Sequence, residues 1–82
     1  MSSGPPIDDL PEIFRSVLRL PPEFDLLDAM SFPDVPGWDS LGHMNLVAEL
    51  ERRYSVSLDL EEIVSIGSVR DVRRLIARKK GL

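Results

Sequence analysis

The chain is organised around residues 37–54, which read Gly-Trp-Asp-Ser-Leu-Gly-His-Met-Asn-Leu-Val-Ala-Glu-Leu-Glu-Arg-Arg-Tyr. A loop rich in proline and glycine ends within this stretch, and a helix is predicted from about Ser40 to Tyr54. Serine and aspartate are favoured at helix starts because their side-chain oxygens accept the free N–H groups of the first turn. Ser40 is therefore predicted to cap this helix, and any further role needs support from other residues.

This predicted helix carries two separate apolar stripes. Four residues fall within one arc of roughly 100° and are predicted to face the core: Leu46, Val47, Leu50 and Tyr54. A second stripe, centred roughly 135° away, consists of Leu41, Met44 and Ala48. Because complete burial of both stripes is difficult in a small domain, we predict that the second stripe faces a partner. The alternative is one broad core face.

Length and composition restrict the functional classes. With 82 residues the chain is one small domain, burying roughly 60–65% of its unfolded surface, and it is short for a deep catalytic cleft. The chain has no cysteine and one histidine, which excludes a disulfide scaffold, a thiolate nucleophile and a cysteine-based zinc site, and no metal site is expected. It has no apolar run of membrane-spanning length and no signal-peptide pattern, so a cytoplasmic, soluble protein is expected.

Charge is distributed unevenly along the chain, whose net charge is −4. Residues 1–40 contain eight acidic residues and two arginines, whereas residues 41–82 contain six acidic residues and eight arginines or lysines. The acidic residues precede and surround Ser40. Such a surface favours partners with basic docking surfaces rather than nucleic acid.

The remaining pattern predicts three more helices. Residues 1–7 are predicted to be a flexible leader, and residues 8–80 the folded domain. A capping box at residues 9–12 starts a first helix from about Leu10 to Arg19, with a one-sided apolar stripe. Asp59 caps a short third helix, and residues 68–71 form another capping box before a fourth helix that ends at Gly81. The expected fold is all-α, a small four-helix bundle of three main helices plus a short third helix.

A long loop joins the first two helices. Residues 20–39 contain four prolines and a glycine, which rule out a continuous helix. Seven apolar residues in this segment are too many for a free linker: Phe24, Leu26, Leu27, Met30, Phe32, Val35 and Trp38. Because such a long loop is unusual in a small domain unless it is functional, we predict a packed loop pinned over the helix ends. One short turn is expected near Leu26–Met30.

Within the predicted order of four helices and one long loop, residues 37–54 resemble the phosphopantetheine attachment region of acyl carrier proteins. That family has Asp-Ser-Leu at the start of its second helix and ends the helix in Leu-Glu-x-x-Phe/Tyr. The resemblance continues through residues 56–58, the short third helix and residues 65–72, and it spans about residues 8–78. Asp-Ser-Leu alone is a weak motif, but its combination with this helix order and loop is specific.

The resemblance implies a non-catalytic carrier with no catalytic residues of its own. Ser40, flanked by Asp39 and Leu41, would receive 4′-phosphopantetheine from a separate phosphopantetheinyl transferase. The thiol of the arm would carry acyl groups as thioesters between acyl-loading and acyl-processing enzymes. Five residues are expected to contact these enzymes: Leu41, Met44, Asn45, Ala48 and Ile63. Ile63 and Ile66 also fall where carriers line an acyl pocket, although both are equally explained as core residues.

Departures from the family pattern affect the expected pathway. Fatty-acid carriers usually place acidic residues directly after Asp-Ser-Leu, where this chain has Gly42, His43 and Asn45. A free-standing, monomeric carrier of polyketide or other specialised biosynthesis is therefore expected ahead of one for fatty acid biosynthesis. A peptidyl or aminoacyl carrier is the alternative, although the double glycine typical of that class is missing.

Two other classes remain as alternatives. A hydrolase would use Ser40 as nucleophile and His43 as base, but residues 37–42 lack the Gly-x-Ser-x-Gly spacing and a preceding strand. His43 is instead predicted to be a packed or loop-bonded side chain. A small helical interaction module or nucleic-acid-binding module would leave Ser40 as a cap only and use a row of arginines on the fourth helix, Arg70, Arg74 and Arg78. A solvated helix face explains that row equally well.

Overall fold

The computed structural model describes residues 9–81, and this part of the chain is all-helical. The elements are α1 (Leu10–Leu18), a 3₁₀ helix (Phe32–Asp34), α2 (Ser40–Tyr54), α3 (Leu60–Ser65) and α4 (Val69–Lys79). Within the described range, the β-type pairing is limited to an isolated bridge between Ser31 and Ser68. The predicted four-helix fold is confirmed, and the predicted leader at residues 1–7 lies outside the described residues.

The core lies between α1, α2 and α4, with α1 packed along α2. Each helix contributes the apolar face that its spacing predicts, and the fully buried side chains on these three helices are Leu10, Ile13, Phe14, Leu46, Leu50, Val69, Val72 and Ile76. Burying one such side chain stabilises the fold by about 1.5–3 kcal/mol. The core face predicted for α2 is therefore confirmed.

The loop between α1 and α2 is packed over helix ends, as predicted. The Arg15 guanidinium donates to the Phe24 carbonyl oxygen at 3.2 Å, and a turn closes between Leu27 and Met30. The first N–H groups of α4 donate to this loop, from Val69 to the Met30 oxygen and from Arg70 to the Asp28 oxygen. Since the first N–H groups of a helix have no partners within the helix, the loop satisfies two of them and fixes its own course over α4.

The predicted helix caps are confirmed in α3 and only in part elsewhere. Asp59 and Glu62 form a complete capping box at the start of α3. At α4, Ser68 caps as predicted, but Asp71 accepts from the Gly67 N–H rather than from Ser68. The box predicted at Asp9 is wrong, because the Asp9 backbone is already helical (φ −78°, ψ −4°) and its side chain makes no capping bond.

The short helix α3 is held by contacts with other parts of the fold. With six residues it is too short to be stable alone, and it has no fully buried residue. Glu62 forms an ion pair with Lys79 of α4, with Oε1 and Nζ 2.8 Å apart. The hydrogen bond from Lys79, assisted by the Asp59 backbone N–H, lowers the pKa of Glu62. This ion pair ties α3 to the far end of α4.

Candidate functional site

Ser40 is the first residue of α2 and not its cap, which corrects the prediction. Asp39 takes the cap position: its backbone is extended (φ −112°, ψ −166°) and its Oδ1 accepts the Gly42 N–H at 2.9 Å. The Asp39 carbonyl oxygen accepts the His43 N–H at 2.7 Å. Ser40 is solvent-exposed, and no described residue forms a hydrogen bond with its hydroxyl. The hydroxyl is therefore available for chemistry at a fixed place.

A close backbone contact fixes this helix start against the loop. Gly37 has a φ of +82°, which favours glycine, and its carbonyl oxygen lies against the Cα of Gly42. A Cβ on Gly42 would overlap this oxygen and would lie 3.0 Å from Cδ2 of Leu18. The first turn of α2 is consequently docked on the loop and on the end of α1. Gly42 was noted in the sequence only as a position without an acidic residue.

His43 joins the loop, α2 and α3. The Trp38 indole Nε1–H donates to His43 Nδ1 at 2.9 Å, and His43 Nε2 lies 3.1 Å from the Ile63 carbonyl oxygen. An indole N–H can only donate, so Nδ1 is the acceptor and the imidazole proton is on Nε2, where it is donated to Ile63. The predicted loop-bonded histidine is confirmed. Because both ring nitrogens are engaged, His43 is unsuited to act as a general base for Ser40.

An aromatic groove opens beside Ser40. We define the aromatic groove by its lining residues: Phe32, Trp38, Asp39, Ser40 and His43. Its volume is about 400 Å³ and its lining is mostly apolar. The rings of Phe32 and Trp38 lie 4.5 Å apart between centroids, and those of Phe32 and His43 lie 5.1 Å apart. The groove therefore has packed walls and an exposed hydroxyl at its edge.

The second stripe of α2 is exposed to solvent, as predicted. Leu41 is 72% exposed and Met44 is 51% exposed, and Asn45 and Ala48 are exposed too. Ile63, which was assigned to the same partner face, is instead half-buried and packs against the core. Ile66 is buried, as expected for a core residue.

Two further large apolar residues are exposed, both on α3. Leu60 is 72% exposed and Val64 is 70% exposed, and they are four positions apart on one side of this helix. That spacing, offset from the inward pair Ile63 and Ile66, was a signal available in the sequence. Large apolar side chains thus lie exposed on both α2 and α3, and His43 connects the first turns of α2 to α3 through the Ile63 carbonyl oxygen.

The cations of α4 and the adjoining Lys80 have separate roles. Arg73 pairs with Asp28 of the loop at 3.1 Å, and Lys80 donates to the Tyr54 carbonyl oxygen at 3.0 Å. The predicted arginine row, Arg70, Arg74 and Arg78, is exposed. Among residues 9–81, no group of three or more potential metal-ligating side chains is assembled. No helix in this range is long and apolar enough to cross a membrane.

Comparison with known proteins assigns the class. Residues 8–76 match the protein family described as "Phosphopantetheine attachment site". An acyl carrier protein of Brachyspira hyodysenteriae is 30% identical over 74 residues, which cover 90% of this chain and 95% of the relative. The solution structure of holo acyl carrier protein from Geobacter metallireducens superposes with a TM-score of 0.83 at 35% identity, covering 95% of this chain and 88% of that chain.

The chain therefore belongs to the acyl carrier protein family of phosphopantetheine-binding domains. It is a non-catalytic carrier, and its cofactor is covalently attached 4′-phosphopantetheine. Members of this family interact with phosphopantetheinyl transferases and with acyl-processing enzymes. The residues at the start of α2 fit this cofactor, since they combine an exposed hydroxyl with an apolar groove large enough for part of the arm.

Proposed function

We propose that Ser40 carries the 4′-phosphopantetheine arm and that the chain, acting as a monomer, carries acyl groups between the enzymes of a polyketide or other specialised pathway in the cytoplasm. One observation carries the assignment of Ser40. Its hydroxyl is exposed and makes no hydrogen bond to a described residue, because Asp39 has taken over the capping role. A serine at a helix start commonly caps the helix by accepting a backbone N–H of the first turn. Here it is left accessible to a transferase.

The chemistry of attachment follows from this position. Ser40 Oγ would attack the β-phosphorus of coenzyme A, forming a phosphodiester while the bond to the departing adenosine 3′,5′-bisphosphate breaks. The transferase would accept the hydroxyl proton, because both ring nitrogens of His43 are engaged. Once bound, the arm would supply a thiol that forms acyl thioesters.

The backbone at Ser40 suits a phosphodiester. The N–H groups of Gly42 and His43 are taken by Asp39, whereas no described residue accepts from those of Ser40 and Leu41. Free N–H groups and the helix dipole favour negative charge at a helix start by about 0.3–1 kcal/mol at an exposed site. This effect would offset part of the repulsion between the phosphodiester and the Asp39 carboxylate.

The exposed apolar residues of two helices are proposed to form the enzyme-binding face. These residues are Leu41 and Met44 of α2 together with Leu60 and Val64 of α3. Leu41 directly follows Ser40, and the loop that precedes Ser40 is acidic, which suits partner enzymes with basic docking surfaces. Asn45 and Ala48 extend this face along α2.

The proposed pathway is supported by what replaces the expected acidic residues after Ser40. Gly42 is buried against the loop and His43 bonds to Trp38 and Ile63, so both have structural roles. Asn45 is exposed but uncharged. The enzyme-facing side of α2 therefore lacks an acidic row in its first turns. A reconstituted fatty acid synthase should elongate acyl groups poorly on this carrier, and efficient elongation would contradict this part of the proposal.

The Ser40 assignment is tested by mass spectrometry. The protein is incubated with coenzyme A, Mg²⁺ and a broad-specificity phosphopantetheinyl transferase, and its intact mass is recorded. We expect the wild type to gain one phosphopantetheine group and Ser40→Ala to gain none. Ser57→Ala, at another exposed serine, is the matched control and should be modified like the wild type. Modification of Ser40→Ala, or none of the wild type, would contradict the assignment.

A second test addresses the enzyme-binding face. Met44→Glu places a charge among exposed apolar residues, so we expect unchanged helicity and weaker transfer with partner enzymes, seen as a KM at least several-fold higher. Ser16→Glu introduces a carboxylate at an exposed position of α1 and should leave the KM unchanged. Unfolding of Met44→Glu would show instead that the second stripe belongs to the core.

A further inference from the structure

The aromatic groove has a location and shape that the attachment reaction alone does not require. A serine accepts a phosphopantetheine group whether or not a groove adjoins it. Here the groove has Ser40 at its edge, and the rings of Phe32, Trp38 and His43 form its walls. Its volume of about 400 Å³ falls within the range of small-molecule sites, which are commonly apolar with a few polar groups.

Two of the three ring walls, Trp38 and His43, are held in place by contacts within the protein. Trp38 is 3% exposed, its ring packs edge-on against Phe14 with centroids 5.1 Å apart, and its N–H is bonded to His43. His43 is fixed in turn by the Ile63 carbonyl oxygen. Walls that are already ordered lose little conformational entropy when a ligand binds, which favours even weak apolar contacts.

The chemistry of the arm decides which part can reach this groove. In phosphopantetheine the phosphate is followed by one methylene and then by a carbon with two methyl groups, the pantoyl portion. This is the first apolar part of the arm after Ser40, whereas the thiol lies at the distal end. A groove that begins at Ser40 itself therefore suits the pantoyl methyl groups.

We propose that the aromatic groove binds the pantoyl portion of the arm, with the gem-dimethyl group against the rings of Phe32, Trp38 and His43. This proposal rests on the attachment of the arm to Ser40. The arm attached to Ser40 then runs from the start of α2 into the groove. Its distal part and the thioester then start from a defined position next to the exposed residues of α3.

Isotope-edited NMR of the whole protein tests the groove directly. The wild type is loaded with coenzyme A carrying ¹³C in the pantoyl methyl groups, and loading is verified by intact mass. We expect NOEs between these methyl protons and ring protons of Phe32, Trp38 or His43. Trp38 is the one tryptophan of the chain, so its fluorescence emission is also expected to change between the unloaded and loaded protein.

Paired variants in the same loop provide the control. Phe32→Ala removes one wall and should reduce the NOEs to Trp38 several-fold, with loading by the transferase retained. Leu27→Ala removes an exposed apolar side chain of this loop outside the groove and should leave the NOEs unchanged. The wild-type spectra need no variant, so they decide the question even if Phe32→Ala does not fold.

The outcomes separate this proposal from the assignment of Ser40. If the loaded wild type shows no NOEs to the three rings and its Trp38 emission is unchanged, the proposal that the groove binds the pantoyl portion is wrong. The Ser40 assignment would remain intact in that case. NOEs of equal strength in Phe32→Ala would also overturn it. Absence of any mass gain would overturn both proposals together.

Discussion

The two apolar faces of α2 have the same kind of composition and opposite environments. Leu46 and Leu50 are fully buried, whereas Leu41 and Met44 are 72% and 51% exposed on the same helix. Apolar content alone therefore does not tell which face stabilises the fold. The two faces differ in burial: one lies in the core formed with α1 and α4, and the other is largely exposed to solvent.

If the exposed face binds enzymes as proposed, this contrast separates binding from folding. The buried face contributes to the free energy of unfolding, and substitutions there are costly. The exposed face contributes little to folding, so its side chains are free to be selected for binding. Ser40 lies at the start of the helix that carries both faces, in a first turn that is docked on the loop.

The largest expected effect comes from the buried face. Leu50→Ala should lower the free energy of unfolding by about 2–5 kcal/mol, because it removes a fully buried side chain and leaves a cavity. Urea unfolding followed by circular dichroism measures this loss.

The exposed face provides the matched control. Met44→Ala should change the free energy of unfolding by no more than about 0.5 kcal/mol, because half of this side chain already contacts water. Similar losses for Leu50→Ala and Met44→Ala would show that both faces belong to the core.

This contrast could be predicted from sequence because it depends on periodicity. The spacing of apolar residues is a local property that determines which side chains share a helix face, and the three main helices and the core face of α2 were predicted in this way. The short helix α3 was predicted from its Asp59 cap instead. Which stripe meets other elements is a tertiary property. For α2, the exposure of the second stripe was inferred from the small size of the domain. The exposure of Leu60 and Val64 on α3 was not predicted.

Details of the site depend on backbone geometry, which the sequence specifies less directly. Either Asp39 or Ser40 could cap α2, and the extended backbone of Asp39 decides between them. Backbone geometry also explains why the predicted capping box at Asp9 does not form, since the Asp9 backbone is helical and not extended. The bond between Trp38 and His43 needs both ring orientations, so the sequence predicted a loop-bonded histidine without its partner.

An intermediate effect is expected at the contact between α2 and the loop. Gly42→Ala should lower the free energy of unfolding by about 1–3 kcal/mol, because the new Cβ would overlap the Gly37 carbonyl oxygen. At an exposed helix position the same substitution stabilises by about 1 kcal/mol, so the sign of the change is itself the test. Chemical denaturation measures this sign.

A second glycine serves as the control for this contact. At Gly67 a new Cβ would meet Oδ2 of Asp71 at 3.4 Å, an ordinary contact. Gly67→Ala should therefore change the free energy of unfolding by no more than about 0.5 kcal/mol. If Gly42→Ala stabilises the protein, the first turn of α2 is not docked on the loop as described.

The smallest effect is expected at the border of the two faces, where Glu49 pairs with Arg52 and Arg53. The hydrogen bond from Arg52 lowers the pKa of Glu49 below its ordinary value of 4.5. The ionised carboxylate therefore stabilises the folded state above pH 4.5, and this contribution is lost as the pH falls through the lower, folded-state pKa.

Glu49→Gln should accordingly be slightly less stable than the wild type at neutral pH and equally stable in acid. The difference should also shrink with added salt, because the ion pair is exposed. Urea unfolding of both proteins across this pH range measures it. A difference that persists unchanged at low pH would mean that Glu49 acts through packing and not through its charge.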